Sequence, residues 1–151
     1  RQYQMNVKVV RIFNTYGPNM QINDGRVISN FIVQALKNKN ITIYGKGNQT
    51  RSFCFINDLI IALYNFMNTK KEISGPINLG NPNEISILTL AKMIIELTNS
   101  KAKIIYEKLP IDDPKRRKPD ITYAKDLMDW EPKVSIEKGL QHTIKYFQSI
   151  L

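Results

Sequence analysis

Three polar clusters in this 151-residue chain have the residue types to hold an anion: "FNTYGP" with "NDGR" shortly after it, "YGKGNQTRSF", and "RRKPD". They bring three arginines, Arg26, Arg51 and Arg117. A guanidinium is planar and donates two parallel hydrogen bonds, so arginines in such loops suit a diphosphate. A nucleoside-diphosphate ligand accounts for them most economically. "YGKGNQTR" contains G-x-G but lacks the lysine, the Ser/Thr and the third glycine of phosphate loops, so its glycines read equally as a hairpin turn. Tyr44, just ahead of them, offers a flat ring for stacking on a base, or simply packs.

The charge balance agrees with an anionic ligand. There are 22 Lys and Arg against 13 Asp and Glu, a net charge of +9, which attracts phosphates, nucleotides or nucleic acid. The run "KRRK", Lys115 to Lys118, is either a solvated loop or part of a site, and Pro119 and Asp120 fix and partly neutralise it. A nucleic-acid-binding module rests on charge alone, because no aromatics are interleaved with the basic residues and no nucleic-acid motif appears. None is expected as a partner.

Other residues read blandly. His142 has no second histidine and no acidic partner at ligand spacing, so it suits a surface or packing role and no metal site is expected. Cys54 is the sole cysteine, which excludes an internal disulfide and suits a small core position. Asp112 and Asp113, beside "PKRRK", offset local charge. No apolar run approaches the roughly 18 to 20 residues that span a bilayer, and "RQYQMNVK" has no signal core. A soluble chain without membrane contact is expected, and a reducing compartment is allowed.

These groups need elements to place them. With 42% hydrophobic and 23% charged residues, the chain has the composition of a single folded domain. "NVKVVRIF", "ITIYG", "RSFCFI", "GPINLGN" and "KIIYE" read as strands. Helices are expected over "GRVISNFIVQALKN", over "DLIIALYNFMN" capped by Asn57 or Asp58, and over "ILTLAKMIIELTNS" capped by Ser86. Two more follow, a short one in "ITYAKDLMDW" and a last one capped by Ser135, with Ile136, Leu140, Thr143, Ile144, Phe147 and Leu151 at helical spacing. Residues 108–120 read as a polar loop. The alternation indicates an α/β chain, and the continuous apolar runs "VKVVRIF" and "PINLGN" suit strands of the same parallel sheet, covered on both faces.

Together, "RIFNTYGP", "NDGRVISNFI", "ITIYGKGNQTRSFCFINDLI", "INLGNPNEISILTLA" and "DDPKRRKPDITYAKDLMDWEP" resemble the C-terminal part of extended short-chain dehydrogenase/reductases that act on nucleotide sugars. Within that family "NDGR", "RKPD" and "WEP" favour the UDP-glucuronate decarboxylases over the 4,6-dehydratases and 4-epimerases. The resemblance covers nearly the whole chain, 1–151, as the nucleotide-sugar-binding portion, including late strands of a Rossmann-like sheet. It implies that Asn14 holds the diphosphate or sugar, Tyr44 packs on uracil, Arg51 contacts the diphosphate, and Asp120 reaches the ribose. It places Thr15, Gln21 and Arg26 toward NAD. Arg117 would bind phosphate or the sugar acid and support catalysis.

The family also needs a glycine-rich pyrophosphate loop and a Y-x-x-x-K pair that moves the hydroxyl proton. Neither is present in the sequence, so the resemblance implies a chain without the NAD-binding N-terminal half and inactive alone. Its expected partners are a UDP-sugar, that half, and a second subunit in a homodimer. Its expected compartment is the cytoplasm, with the Golgi lumen open for some relatives.

Overall fold

Two of the apolar runs lie side by side in the computed structural model, which describes residues 3, 5–109 and 116–151. The elements in chain order are β1 (Val10–Ile12), β2 (Thr15–Tyr16), α1 (Val27–Leu36), β3 (Ile41–Tyr44), β4 (Thr50–Ser52), β5 (Cys54–Phe55) and α2 (Ile56–Met67). They continue with β6 (Ile77–Leu79), β7 (Glu84–Ser86), α3 (Ile87–Leu97), β8 (Ile104–Glu107), β9 (Arg116–Arg117), α4 (Thr122–Met128) and α5 (Ile136–Ile150). β1 and β6 pair in parallel, Val10 with Ile77 and Ile12 with Leu79, as their apolar runs predict. β2 with β5 and β3 with β8 are further parallel pairs, while β4 lies between antiparallel β7 and parallel β9.

The single strand expected over "RSFCFI" is divided between two sheets. Alternation is the reason: Phe53 and Phe55 enter one apolar core, whereas Cys54 enters another. The first core joins Ile28, Phe31 and Ile32 of α1, Leu90 and Ile94 of α3, and Leu140, Ile144 and Phe147 of α5 around Ile41 and Ile43 of β3. The second joins Leu59, Ala62 and Phe66 of α2 to Ile77 and Leu79 of β6, Ala124 of α4 and Trp130. Each large side chain fully buried in this way contributes roughly 1.5–3 kcal/mol of transfer free energy.

Two expected caps are present. Ser86 Oγ accepts the Thr89 amide at 3.0 Å, and Ser135 Oγ accepts that of Lys138 at 3.3 Å. The expected cap of α2 is corrected: the helix starts at Ile56 behind an extended Phe55, so Asn57 and Asp58 lie inside it. Asp58 is drawn elsewhere. Its buried carboxylate accepts the amides of Lys133 and Val134 at 3.0 and 2.9 Å, and its carbonyl accepts the Trp130 indole N–H at 3.1 Å. "WEPKV" is thereby fastened to α2.

α5 is tied to the site in turn. The Tyr16 hydroxyl donates to the Ile136 carbonyl at 3.2 Å, and Gly139 leaves room for it, since a Cβ there would overlap the tyrosine oxygen. Among the described residues no helix is long and apolar enough to cross a membrane.

Candidate functional site

Arg51 stands where two cavities adjoin. One, of about 330 Å³, is lined by Phe13, Asn14, Thr15, Met20, Arg26 and Arg51 among others. The other, of about 510 Å³, is lined by Asn30, Gln34, Thr42, Tyr44, Gln49 and Arg51 among others. Arg51 is buried on the central strand of its sheet, and its Nη1 donates to the Thr50 carbonyl at 2.8 Å. In the β4–β9 ladder its register partner is Arg117. Adjacent strands lie about 4.8 Å apart and registered residues share a face, so two guanidinium-bearing side chains leave the sheet side by side.

The floor of the smaller cavity is rigid. Asn14 Nδ2 donates to the Ser52 carbonyl at 3.2 Å, and the Asn14 carbonyl accepts the Cys54 amide at 2.8 Å. Thr15 Oγ1 donates to the Phe13 carbonyl at 2.8 Å. The polar groups of "FNTYGP" therefore serve two ends, hydrogen bonds that pin the loop to β4 and β5, and a surface facing the cavity. Below it, burial pushes the Cys54 thiol up to about 12, aided by the charge of Asp58. Tyr16 is likewise raised well above its ordinary value, first by burial and then by Cys54 and Asp58. Neither group exchanges protons near neutral pH.

Arg26 lines the same cavity with its charge already matched. Its Nε and Nη2 both reach Asp24 Oδ2 at 2.7 Å. Asp24 Oδ1 also accepts the Arg26 amide at 3.0 Å and the Ser29 hydroxyl. Burial raises the Asp24 carboxyl, but the hydrogen bonds from Ser29 and Arg26, with the Arg26 charge, outweigh it and hold it below its ordinary value. "NDGR" is thus a turn that closes on itself ahead of α1. Gln21 is exposed and lines neither cavity.

Tyr44 borders the larger cavity with about half its surface open, 48%. Behind it the glycines of G-x-G act as turn residues, with Gly45 at φ +72° and Gly47 at φ +76°, a conformation that glycine adopts without steric cost. Gln49 Nε2 closes the turn on the Tyr44 carbonyl at 2.7 Å. Sequence reasoning passed over Asn30 and Gln34 of α1, Thr42 of β3 and Glu107 of β8, which line the same cavity. One signal was available: Asn30 and Gln34 are polar residues at i, i+4 in a helix that is apolar apart from them and Ser29.

Arg117 is exposed, and its carbonyl accepts the Ser52 hydroxyl at 3.2 Å. Asp120 lines neither of the cavities that Arg51 borders but an open depression of about 870 Å³ that also includes Lys125 and Glu131. Its Oδ1 accepts the Thr122 amide at 2.9 Å and the Thr122 hydroxyl at 2.7 Å, bonds that hold its carboxyl below the ordinary value and start α4. His142 is exposed on α5 with its ring 6.0 Å from that of Phe55. Asp112, Asp113 and Lys115 lie outside the described residues.

A parallel strand pair beside a guanidinium-lined cleft is the pattern expected of a nucleotide-sugar enzyme, and comparison with known proteins agrees. Residues 1–80 match the NAD dependent epimerase/dehydratase family, and the chain belongs to that family. It is 50% identical over 151 residues to UDP-glucuronic acid decarboxylase 1 of Xenopus tropicalis, covering 100% of this chain and 35% of that protein. It is also 50% identical over 148 residues to UDP-glucuronic acid decarboxylase 4 of Arabidopsis thaliana, covering 98% of this chain and 33% of that protein. The chain thus spans about a third of the length of these curated relatives. Among solved structures, UDP-glucuronic acid 4-epimerase from Bacillus cereus, in complex with UDP-glucuronic acid and NAD, superposes with a TM-score of 0.89. The two are 31% identical, over 99% of this chain and 47% of that one. The expected α/β fold of an extended short-chain dehydrogenase/reductase is borne out.

Proposed function

We propose that residues 1–151 form the nucleotide-sugar-binding portion of an NAD-dependent UDP-glucuronate decarboxylase, which converts UDP-glucuronate to UDP-xylose and carbon dioxide. The observation that carries this reading is Arg51 at the junction of two cavities, with Arg117 as its register partner on the neighbouring strand. A diphosphate fits between the arginines, with a base toward Tyr44 and a sugar toward Asn14. Identity of 50% across the whole chain to proteins named as decarboxylases supports the choice of reaction.

The residues bordering the smaller cavity fit one end of NAD. Phe13, Thr15 and Met20 offer a mixed apolar and polar floor for the nicotinamide. Arg26, matched by Asp24, adds a further edge, while Gln21 has only its place on the loop in its favour. The cofactor phosphates require a glycine-rich loop that these residues do not form. When bound, NAD supplies reversible hydride exchange at C4 of the sugar.

With a ketone at C4, the C5–C6 bond breaks, carbon dioxide leaves, and its electron pair enters the C4 carbonyl as an enolate. A proton then adds at C5. Arg117 holds the sugar carboxylate and stabilises the enolate, and Arg51 fixes the diphosphate. Asp120 reaches the ribose in this scheme through Oδ2, since its Oδ1 holds Thr122. The whole protein is proposed to be a cytoplasmic homodimer.

A 4-epimerase is the second reading, favoured by the similarity to the Bacillus cereus enzyme. The test is incubation of the whole protein with NAD and UDP-glucuronate labelled at C6. Release of labelled carbon dioxide with UDP-xylose is expected. Label retained in a UDP-hexuronate epimer would replace the decarboxylase by the epimerase.

A further inference from the structure

Val27, Asn30, Phe31 and Gln34 form one stripe of α1 along the larger cavity, facing Thr42 and Tyr44 of β3. The two amides in that stripe are oriented by backbone groups whose chemistry leaves no choice. The Thr42 N–H can only donate, so its bond at 3.3 Å fixes the oxygen of Gln34 toward β3. The Gly25 carbonyl can only accept, so its bond at 3.2 Å fixes the nitrogen of Asn30 toward the turn. What remains is complementary: the Gln34 NH₂ is a donor and the Asn30 Oδ1 is an acceptor, one helical turn apart on the same face.

We infer that Gln34 and Asn30 read the base of the bound nucleotide and select uracil over cytosine. This rests on the nucleotide-sugar reading above. Uracil presents a carbonyl at C4 beside an N–H at position 3. The Gln34 NH₂ donates to the carbonyl, and Asn30 Oδ1 accepts the N–H, while Tyr44 covers the ring. Cytosine presents an amino group and a bare nitrogen at the same places. It sets donor against donor and lone pair against lone pair, and a site built for hydrogen bonding rejects such a ligand strongly. Gln49 Oε1 and the Glu107 carboxylate also border the cavity. Both are acceptors and do not supply the donor that the C4 carbonyl requires; Thr42, Tyr44 and Arg51 also carry donors at this cavity, and the Gln34 variants separate its donor from theirs.

The deciding variant is Gln34→Glu in the whole protein, because a carboxylate still accepts the Thr42 N–H but turns the outward donor into an acceptor. Calorimetric titration with UDP and CDP holds ribose and diphosphate constant. The unaltered protein is expected to prefer UDP by at least about tenfold, and Gln34→Glu to shift the ratio toward CDP by about tenfold or more. Gln34→Ala, which removes the donor together with the acceptor of the Thr42 N–H, is expected to weaken UDP and lower the UDP-to-CDP ratio. If the unaltered protein binds UDP and both variants keep its UDP-to-CDP ratio, the base-reading role is wrong and the nucleotide reading stands. If the unaltered protein binds neither nucleotide, the nucleotide reading fails and takes this inference with it.

Discussion

The helices α1, α3 and α5 and the layer formed by β1, β6, α2 and α4 are both amphipathic, yet they end in different states. In the first region the apolar faces meet one another: Ile32 of α1, Leu90 and Ile94 of α3, and Leu140 and Phe147 of α5 are all fully buried. In the second, α2 buries Leu59, Ala62 and Phe66 on one side and leaves Ile60, Ile61, Tyr64 and Met67 exposed on the other. Val7 and Val9, just ahead of β1, and Ile12 within it are exposed as well. Among the described residues β1 pairs only with β6. Parallel strands are stable when both faces and both edges are covered. The difference teaches that the first region is a finished core that carries the cavities. The second leaves apolar side chains of α2 and of the segment around β1 open to solvent.

If that contrast is right, the largest effect is on activity. The 151-residue chain by itself, given UDP-glucuronate and NAD, is expected to show no decarboxylation, because its sequence contains neither a Y-x-x-x-K pair nor a glycine-rich pyrophosphate loop. Turnover that survives repurification would end the division of labour proposed for the two regions.

Truncation separates the regions next. Phe147→Ala opens a cavity in the finished core and is expected to destabilise by about 3–5 kcal/mol in urea unfolding. Tyr64→Lys, on the exposed side of α2, is expected to change stability by less than about 0.5 kcal/mol. Exposed apolar patches promote association. Sedimentation at rising concentration should therefore show the chain associating and Tyr64→Lys associating less. A strictly monomeric chain would contradict the open-surface account.

A smaller effect comes from Cys54, which lies in the second core beside the junction with the first. Its thiol is raised from an ordinary 9.0 to about 12. Between those values the unfolded thiol has lost its proton while the folded one keeps it. The associated stability is therefore complete below pH 9 and declines as pH rises toward 12. Tyr16 acts in the same direction from its ordinary value of 10.0 upward. Urea midpoints at pH 8 and pH 10.5 should fall with pH, and Cys54→Ala should flatten the fall. An unchanged slope in that variant would remove the thiol from the explanation.

Where the sequence is periodic or ends in a side-chain cap, its reading carries through to the structure. Ser86 and Ser135 start α3 and α5 because a serine can bond its own helix without help from elsewhere. β1 and β6 were legible because apolar runs of that length suit a parallel sheet. Asp58 was misread because a cap and a tertiary staple look alike in sequence, and only the folded position of Lys133 and Val134 distinguishes them. The pairing of Arg51 with Arg117 was hidden for a similar reason: β4 and β9 are three and two residues long, and their register partners lie 66 positions apart in the sequence. The resemblance supplied the arginines by motif. It could not show that Arg26 already faces Asp24, or that Asp120 holds Thr122.

The central claim is that Arg51 and Arg117 grip one diphosphate while Arg117 also reaches the sugar acid. Calorimetric titration of the whole protein and of its Arg51→Ala and Arg117→Ala variants with UDP, UDP-xylose and UDP-glucuronate tests it most directly. Arg51→Ala is expected to weaken all three ligands equally. Arg117→Ala is expected to penalise UDP-glucuronate beyond the other two by roughly 1.5–3 kcal/mol, the worth of a charge-assisted hydrogen bond. Equal losses for all three ligands in Arg117→Ala would reduce that residue to a phosphate clamp. Unchanged binding in both variants would contradict the site itself.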